Sequence, residues 1–173
     1  MPSGPRRICW DAWTFSELLN KYAPDHESVR RIAEIADRVS PDIEIITSTL
    51  AIAEVAGLLR HPETMAIVTQ LQLERVELMW QGSRIIRFDV TEIIAQRARD
   101  IVRSTASARP RRRIIRGADA VYLATAANAG ADTLVTRDAA LLSHSGMLGI
   151  RICPPAVLYN DLSDTSSRGD RTR

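Results

Sequence analysis

The chain has 173 residues, of which 45% are hydrophobic and 25% are charged, values that are typical of a folded globular protein. This length suits one domain with its own core, and no apolar run approaches the roughly 18 residues of a membrane span. The N-terminal region contains no apolar segment like that of a secretory signal, so we expect a cytoplasmic protein. The formal net charge is only +2, but nearly all basic residues are arginine, whose guanidinium groups suit phosphate.

Apolar and polar segments alternate along the chain in lengths typical of strands and helices. The pattern predicts strands at 7–10, 43–47, 84–90, 132–138 and 150–153. It predicts helices at 14–22, 26–39, 50–60, 63–79, 92–105, 117–129 and 139–142. This alternation predicts an α/β domain over residues 1–162, with a parallel sheet covered on both faces. Residues 163–173 are polar and lack apolar anchors, so a disordered tail is predicted there.

Four acidic side chains have positions that such a fold could bring to one edge of the sheet. Ligands of an open parallel sheet bind beyond the carboxyl ends of the strands, where Asp11 and Asp138 follow the first and fourth strands. Glu54 lies in the apolar helix after the second strand. Asp119 lies in the first turn of the helix before the fourth strand. The topology therefore predicts an acidic rim.

Carboxylates that share one rim repel one another unless a cation lies among them. Mg²⁺ is a hard cation that prefers oxygen ligands and often binds one or two carboxylates while it keeps several waters. Such an ion activates water and stabilises the charge that develops on a phosphodiester. The acidic rim therefore indicates a metal-dependent hydrolase acting on phosphodiester bonds.

Structural explanations exist for three of these acids. Asp11 and Asp138 could each cap the helix that follows, and Asp119 suits the positive end of its helix dipole. Glu54 is different, because neither capping nor solvation explains a carboxylate within LAIAEVAG. Two further acids that flank strands, Asp89 and Asp132, fit turns.

Two other enzyme classes also place Asp at strand ends. A phosphotransfer receiver needs a Lys near its last strand, but the single Lys, Lys21, lies in the first predicted helix. The phosphatase motif needs a second Asp two residues after the first, where Trp13 stands. Glycine-rich nucleotide-binding loops are absent from the sequence as well.

Three segments together resemble a PIN domain, and within that superfamily the VapC-type toxins of bacterial toxin-antitoxin pairs. They are ICWDAWTFSELL, TSTLAIAEVAGLL and GADAVYLATAANAGADTLVTRDAALL, and they extend from Ile8 to Leu142. The resemblance implies a three-layer α/β/α fold with a five-stranded parallel sheet, homodimerisation, inhibition by a cognate antitoxin and cleavage of RNA, often tRNA or rRNA.

The resemblance also assigns roles to individual residues. Asp11, Glu54, Asp119 and Asp138 match the catalytic acidic quartet of that family, which binds Mg²⁺ or Mn²⁺. Asp11, Asp119 and Asp138 would be the metal ligands. Thr136 matches the Ser or Thr that accompanies the last acid.

Two further features bear on RNA. A basic run precedes Asp119 and could hold the RNA backbone, meet an acidic antitoxin segment or remain a solvated loop. Trp13 stands where members of the family commonly have Asn, Ser or another small residue. This departure leaves a non-catalytic RNA-binding or interaction module as an alternative, beside a housekeeping PIN nuclease. The basic run consists of Arg109, Arg111, Arg112, Arg113 and Arg116.

Overall fold

The computed structural model describes residues 4–39, 42–59, 74, 77–78, 81, 85–107 and 113–169. Most of the helix predicted at 63–79 lies outside these residues, as do Arg109, Arg111 and Arg112 of the basic run. In the part of the chain that is described, no helix has both the length and the apolar character needed to cross a membrane.

Five strands form one sheet in which every neighbouring pair is parallel. The spatial order is β3-β2-β1-β4-β5. This arrangement confirms the predicted fold class. The strands are β1 (Arg6–Trp10), β2 (Ile43–Ser48), β3 (Ile85–Phe88), β4 (Thr133–Val135) and β5 (Arg151–Cys153).

Helices cover the sheet to complete the three-layer arrangement. The described α-helices are α1 (Ala12–Leu19), α2 (His26–Val39), α3 (Leu50–Leu59), α4 (Glu92–Ala106), α5 (Gly117–Asn128), α6 (Ala139–Leu142) and α7 (Pro155–Gly169). Helix α4 packs against α5, and α2 packs against α7. Both α2 and α5 contact β2, so the two helix pairs enclose the central strands.

The central strands are apolar because both of their faces are covered. Ile8, Cys9 and Trp10 of β1 are all buried, as are Leu134 and Val135 of β4. Both cysteines of the chain, Cys9 and Cys153, are buried free thiols. The core thus fixes the two strands whose carboxyl ends carry the predicted acids.

The order of the strands reverses beside β1. From β1 the chain builds the sheet in one direction through β2 and β3, and it returns to add β4 and β5 on the other side. Such a switch point leaves a crevice beyond the carboxyl ends of the two central strands. Asp11 follows β1, and Asp138 lies three residues after β4 ends at Val135.

The last helix extends into the segment that is predicted to be disordered. Helix α7 runs from Pro155 to Gly169, so residues 163–169 are helical in the structure. Leu158 and Leu162 are buried and anchor its first half. Once a helix has formed, each further residue adds one hydrogen bond at little cost, so elongation continues into polar sequence. The rest of the predicted tail, residues 170–173, lies outside the described residues.

Candidate active site

Asp11 combines a structural role with a position in the crevice. Its side chain is only 3% exposed, and Oδ1 accepts a hydrogen bond from the backbone N–H of Thr14 at 2.8 Å. The hydroxyl of Thr14 also lies 2.8 Å from this oxygen. Asp11 is therefore the N-cap of α1, as the structural explanation of this residue predicts.

Asp138 caps the short helix α6 in the same manner. Its Oδ1 accepts hydrogen bonds from the backbone N–H groups of Ala140 at 2.7 Å and Leu141 at 2.9 Å. Thr136 connects the two capping acids, because its Oγ1 accepts from the N–H of Asp138 at 2.9 Å and its side chain also hydrogen-bonds Asp11. The structure thus shows a link between Thr136 and both acids.

Glu54 has a partner that the sequence analysis missed. The phenol of Tyr122 donates a hydrogen bond of 2.6 Å to Glu54 Oε2. Burial, this hydrogen bond and the charge of Glu54 all raise the pKa of Tyr122, so the phenol remains a proton donor. Tyr122 follows Asp119 by three residues, and that spacing places both on one helix face. This spacing was the sequence signal that could have placed Tyr122 beside the acids.

A pocket of about 340 Å³ opens beside these groups. Three of the four predicted acids line it, and the charge of the fourth, Asp138, acts on two of them. The indole of Trp13 is 51% exposed at this pocket. The lining residues are Asp11, Ala12, Trp13, Glu54, Gly57, Asp119 and Tyr122.

The electrostatics show that the four acids act on one another. Partial burial and the charges of Asp138, Asp11 and Glu54 raise the pKa of Asp119 to about 6. Burial also raises the pKa of Asp11, although hydrogen bonds from Thr136 and Thr14 oppose the shift. The fold therefore gathers negative charge at this site, and a cation would relieve that repulsion.

The donor chemistry of the pocket fits a hard divalent ion, although its side chains are not gathered into a complete ligand set. Among the described residues, no three His, Cys, Asp or Glu side chains are arranged to hold a metal ion together. Mg²⁺ needs only one or two direct carboxylate ligands, since waters complete its shell. Carboxylate oxygens of Asp11, Asp119 and Asp138 could supply such contacts.

The structure describes two arginines of the basic run. Arg113 and Arg116 are exposed, and neither is among the residues that line the pocket. The backbone carbonyl of Arg113 lies 2.8 Å from Nε2 of the buried His144, which fixes the start of this segment against the end of α6. Contact of these arginines with RNA stays a prediction.

A second polar cluster, which no local sequence pattern predicted, forms around Arg137. Arg137 Nη1 donates to Glu17 Oε1 at 3.1 Å, and its Nε lies 3.2 Å from Asp25 Oδ2. Glu17 is only 4% exposed. Because Arg137 lies between Thr136 and Asp138, this cluster connects the acidic rim to α1 and to the turn before α2.

Solved structures of similar fold are known. VapC20 from Mycobacterium tuberculosis, a sarcin-ricin loop cleaving toxin, is 16% identical with a TM-score of 0.55, covering 73% of this chain and 86% of that chain. VapBC2 from Rickettsia felis, solved with a DNA fragment from its promoter, is 15% identical with a TM-score of 0.59, covering 86% and 98%. FitAcB from Neisseria gonorrhoeae is 22% identical with a TM-score of 0.54, also covering 86% and 98%.

The sequence itself matches a known family. Residues 8–145, well over half of the chain, match the profile of the PIN domain. No curated protein matches the sequence. The family match spans the three segments on which the resemblance depends and includes all four acids of the rim. The chain belongs to the PIN domain family.

Proposed function

We propose that this protein is a Mg²⁺- or Mn²⁺-dependent endoribonuclease and the toxin of a VapBC-type toxin-antitoxin pair. The observation that carries the proposal is the group of four interacting carboxylates at the switch point of the sheet, within a PIN domain. Partial burial, together with the charges of the other three acids, raises the pKa of Asp119 to about 6, and a bound cation would relieve that repulsion.

In the proposed mechanism, Asp11, Asp119 and Asp138 would hold the ion, one or two of them directly and the others through its waters. The bound ion would activate water and stabilise the charge that develops on the phosphodiester. Thr136 and Thr14 fix the orientation of Asp11 through hydrogen bonds. Glu54 completes the acidic rim from α3. The residues of the chain thus supply a preorganised set of charges.

RNA is the proposed substrate, and tRNA or rRNA is the expected class. VapC20, whose fold is similar, is a toxin that cleaves the sarcin-ricin loop. The exposed indole of Trp13 beside the acids offers a surface on which an unpaired base can stack. Arg113 and Arg116 supply exposed positive charge that could hold the phosphate backbone.

Trp13→Ala is expected to weaken binding of single-stranded RNA about tenfold, because loss of one stacking contact commonly costs 1–3 kcal/mol. Binding should be measured by fluorescence anisotropy in an Asp119→Asn background, so that RNA is not cleaved. Tyr22→Ala is the matched control, since Tyr22 is an exposed aromatic residue that does not line the pocket. Equal affinities of the two variants would contradict a stacking role for Trp13.

An antitoxin and a second copy of the chain are the proposed protein partners. Several structures of similar fold are assemblies of a toxin with its antitoxin, including a toxin-antitoxin complex from Klebsiella pneumoniae at 18% identity. We also propose a cytoplasmic location, where the toxin would meet its RNA substrate. Co-expression with the protein encoded next to it would test whether a specific partner suppresses cleavage.

A non-catalytic RNA-binding or interaction module is the second candidate. It is favoured by Trp13, which replaces a small residue of the family pattern, and by the lack of a three-ligand metal group among the described residues. A housekeeping PIN nuclease would share the chemistry of the toxin but not its antitoxin. Metal dependence separates the first candidate from the module.

Removal of divalent metal is the direct test. Purified protein is expected to cut total RNA or tRNA into discrete fragments with Mg²⁺ or Mn²⁺, and EDTA should abolish these fragments because the acids alone cannot neutralise the developing charge. Electrophoresis and end mapping would read the products. Fragments that persist in EDTA would exclude the proposed chemistry. RNA binding without cleavage under every metal condition would favour the module.

A further inference from the structure

The contact between Tyr122 and Glu54 joins two helices across the pocket. Tyr122 lies in α5 and Glu54 in α3, 68 residues apart in sequence. The ring of Tyr122 is packed in the core and only 2% exposed, yet its hydroxyl reaches Glu54 Oε2 at 2.6 Å. The position of the phenol oxygen is therefore set by the core rather than by solvent.

Glu54 needs such a contact to adopt one orientation. A glutamate side chain has several rotatable bonds, and its freedom opposes any single placement of the carboxylate. Most residues around Glu54 in α3 are apolar. Within the described part of the chain, Tyr122 donates a hydrogen bond to the Glu54 carboxylate. A hydrogen bond from a hydroxyl to a carboxylate is charge-assisted and therefore strong.

The same helix turn of α5 carries one of the other acids. Asp119 precedes Tyr122 by three residues, so both lie on one face of α5, and both line the pocket. One rigid element therefore carries a proposed metal ligand and also the donor that holds Glu54. This arrangement fixes the carboxylates of two separate helices relative to each other.

We propose that Tyr122 is a positioning residue that holds the Glu54 carboxylate toward the cation site formed with Asp11 and Asp119. This inference rests on the proposed function and extends it by one residue. The phenol acts through Glu54 and does not itself contact RNA. The second oxygen of Glu54 is left for the cation or for one of its waters.

The test compares Tyr122→Phe with Glu54→Gln and with the double variant. The Phe variant keeps the packed ring and removes only the hydroxyl. Tyr159→Phe is the matched control, because Tyr159 also packs partly against the core but lies in α7, away from the pocket. Circular dichroism and thermal unfolding would verify that each variant is folded.

Two readouts are measured on the full chain. The first is the affinity for Mn²⁺ alone, by calorimetry without RNA, and the second is kcat for cleavage at saturating Mn²⁺. Loss of a contact that orients a ligand commonly costs 10–100-fold, so Tyr122→Phe is expected to weaken Mn²⁺ binding and to lower kcat by about tenfold each. Tyr159→Phe should match the wild type. The double variant should be no worse than Glu54→Gln.

Other results would contradict either the positioning role of Tyr122 or the proposed ribonuclease function, and the two cases can be distinguished. Wild-type values for Tyr122→Phe, or losses that multiply in the double variant, would overturn the positioning role and leave the ribonuclease proposal intact. A wild-type protein that binds Mn²⁺ without cleaving RNA would refute the ribonuclease, while the Mn²⁺ affinities still decide the role of Tyr122. A wild-type protein that neither binds Mn²⁺ nor cleaves RNA would overturn both.

Discussion

Asp119→Asn is expected to abolish metal-dependent RNA cleavage and, at the same time, to stabilise the metal-free protein at neutral pH. Cleavage should fall about a hundredfold or more, because the substitution removes a charged ligand that the proposed mechanism needs. Stability should rise because the Asp119 carboxylate is partly buried and is also held against the charges of three other acids, Asp138, Asp11 and Glu54. The same repulsion that makes the site receptive to a cation thus destabilises the fold without one.

The pH dependence of this stabilisation has a definite sign. The pKa of Asp119 is raised from an ordinary value near 3.8 to about 6 in the folded protein, so the folded state binds this proton more tightly than the unfolded state. Proton binding to Asp119 therefore stabilises the folded state. This stabilisation is complete below about pH 4 and is lost as the pH rises through about 6. The Tm of Asp119→Asn should therefore exceed that of the wild type at pH 7.5 and equal it at pH 4.

Thermal unfolding with and without Mn²⁺ is the measurement. Added Mn²⁺ should raise the Tm of the wild type, because it binds the native state. The rise in Tm should be much smaller for Asp119→Asn. Asp100→Asn is the matched control, because Asp100 is exposed on α4 and pairs with Arg99 away from the pocket. A variant that is less stable than the wild type at pH 7.5, or that cleaves RNA normally, would contradict the prediction.

Arg137→Ala is expected to lower the free energy of unfolding by about 2 kcal/mol. Removal of Arg137 leaves the carboxylate of Glu17 buried without its cation, and loss of one partner of a buried pair commonly costs 3–5 kcal/mol. The smaller figure is expected here because Arg137 itself is 44% exposed, so water already screens the pair. Urea denaturation with an unchanged m-value would report the difference.

Two further variants make this stability prediction specific. Arg99→Ala removes an exposed guanidinium that pairs with Asp100, and it should change the free energy of unfolding by less than about 0.5 kcal/mol. Glu17→Gln combined with Arg137→Ala should be less destabilised than the sum of the two single changes, because the unpaired charge is gone. If Arg99→Ala and Arg137→Ala lowered the free energy of unfolding by similar amounts, burial of Glu17 would not increase the cost of losing its partner.

The double role of the capping acids affects how the site should be tested. Asp11 and Asp138 hold helix N-termini as well as facing the rim, so an Ala substitution would remove a cap and a charge together. Asn is nearly as good an N-cap as Asp, so it removes the charge and keeps the hydrogen-bond acceptor. Loss of cleavage in the Asn variants would therefore report chemistry rather than unfolding.

Local sequence patterns predicted most of the described elements, but some ends were wrong: β4 spans Thr133–Val135, whereas the pattern predicts 132–138. Helix α2 was predicted at its observed ends, and β1 and β2 each differ from the prediction by one residue. Helix α1 begins two residues earlier than predicted, because it starts at Ala12, directly after its N-cap Asp11. Helix α7 is absent from the predicted elements; its second half continues into polar sequence because elongation from a buried first half requires no apolar residues there.

The sequence by itself determined the parallel α/β architecture and the four acids of the rim. Both depend on information that lies within a few residues: the spacing of apolar side chains, the caps, and the ends of strands that must share one edge of a parallel sheet. The tertiary structure alone decided which groups meet, as with Tyr122 and Glu54, and Arg137 and Glu17. These partners lie 68 and 120 residues apart, so their contact depends on how whole helices pack. The pKa of Asp119 likewise reflects the burial and the neighbouring charges that only the folded chain creates.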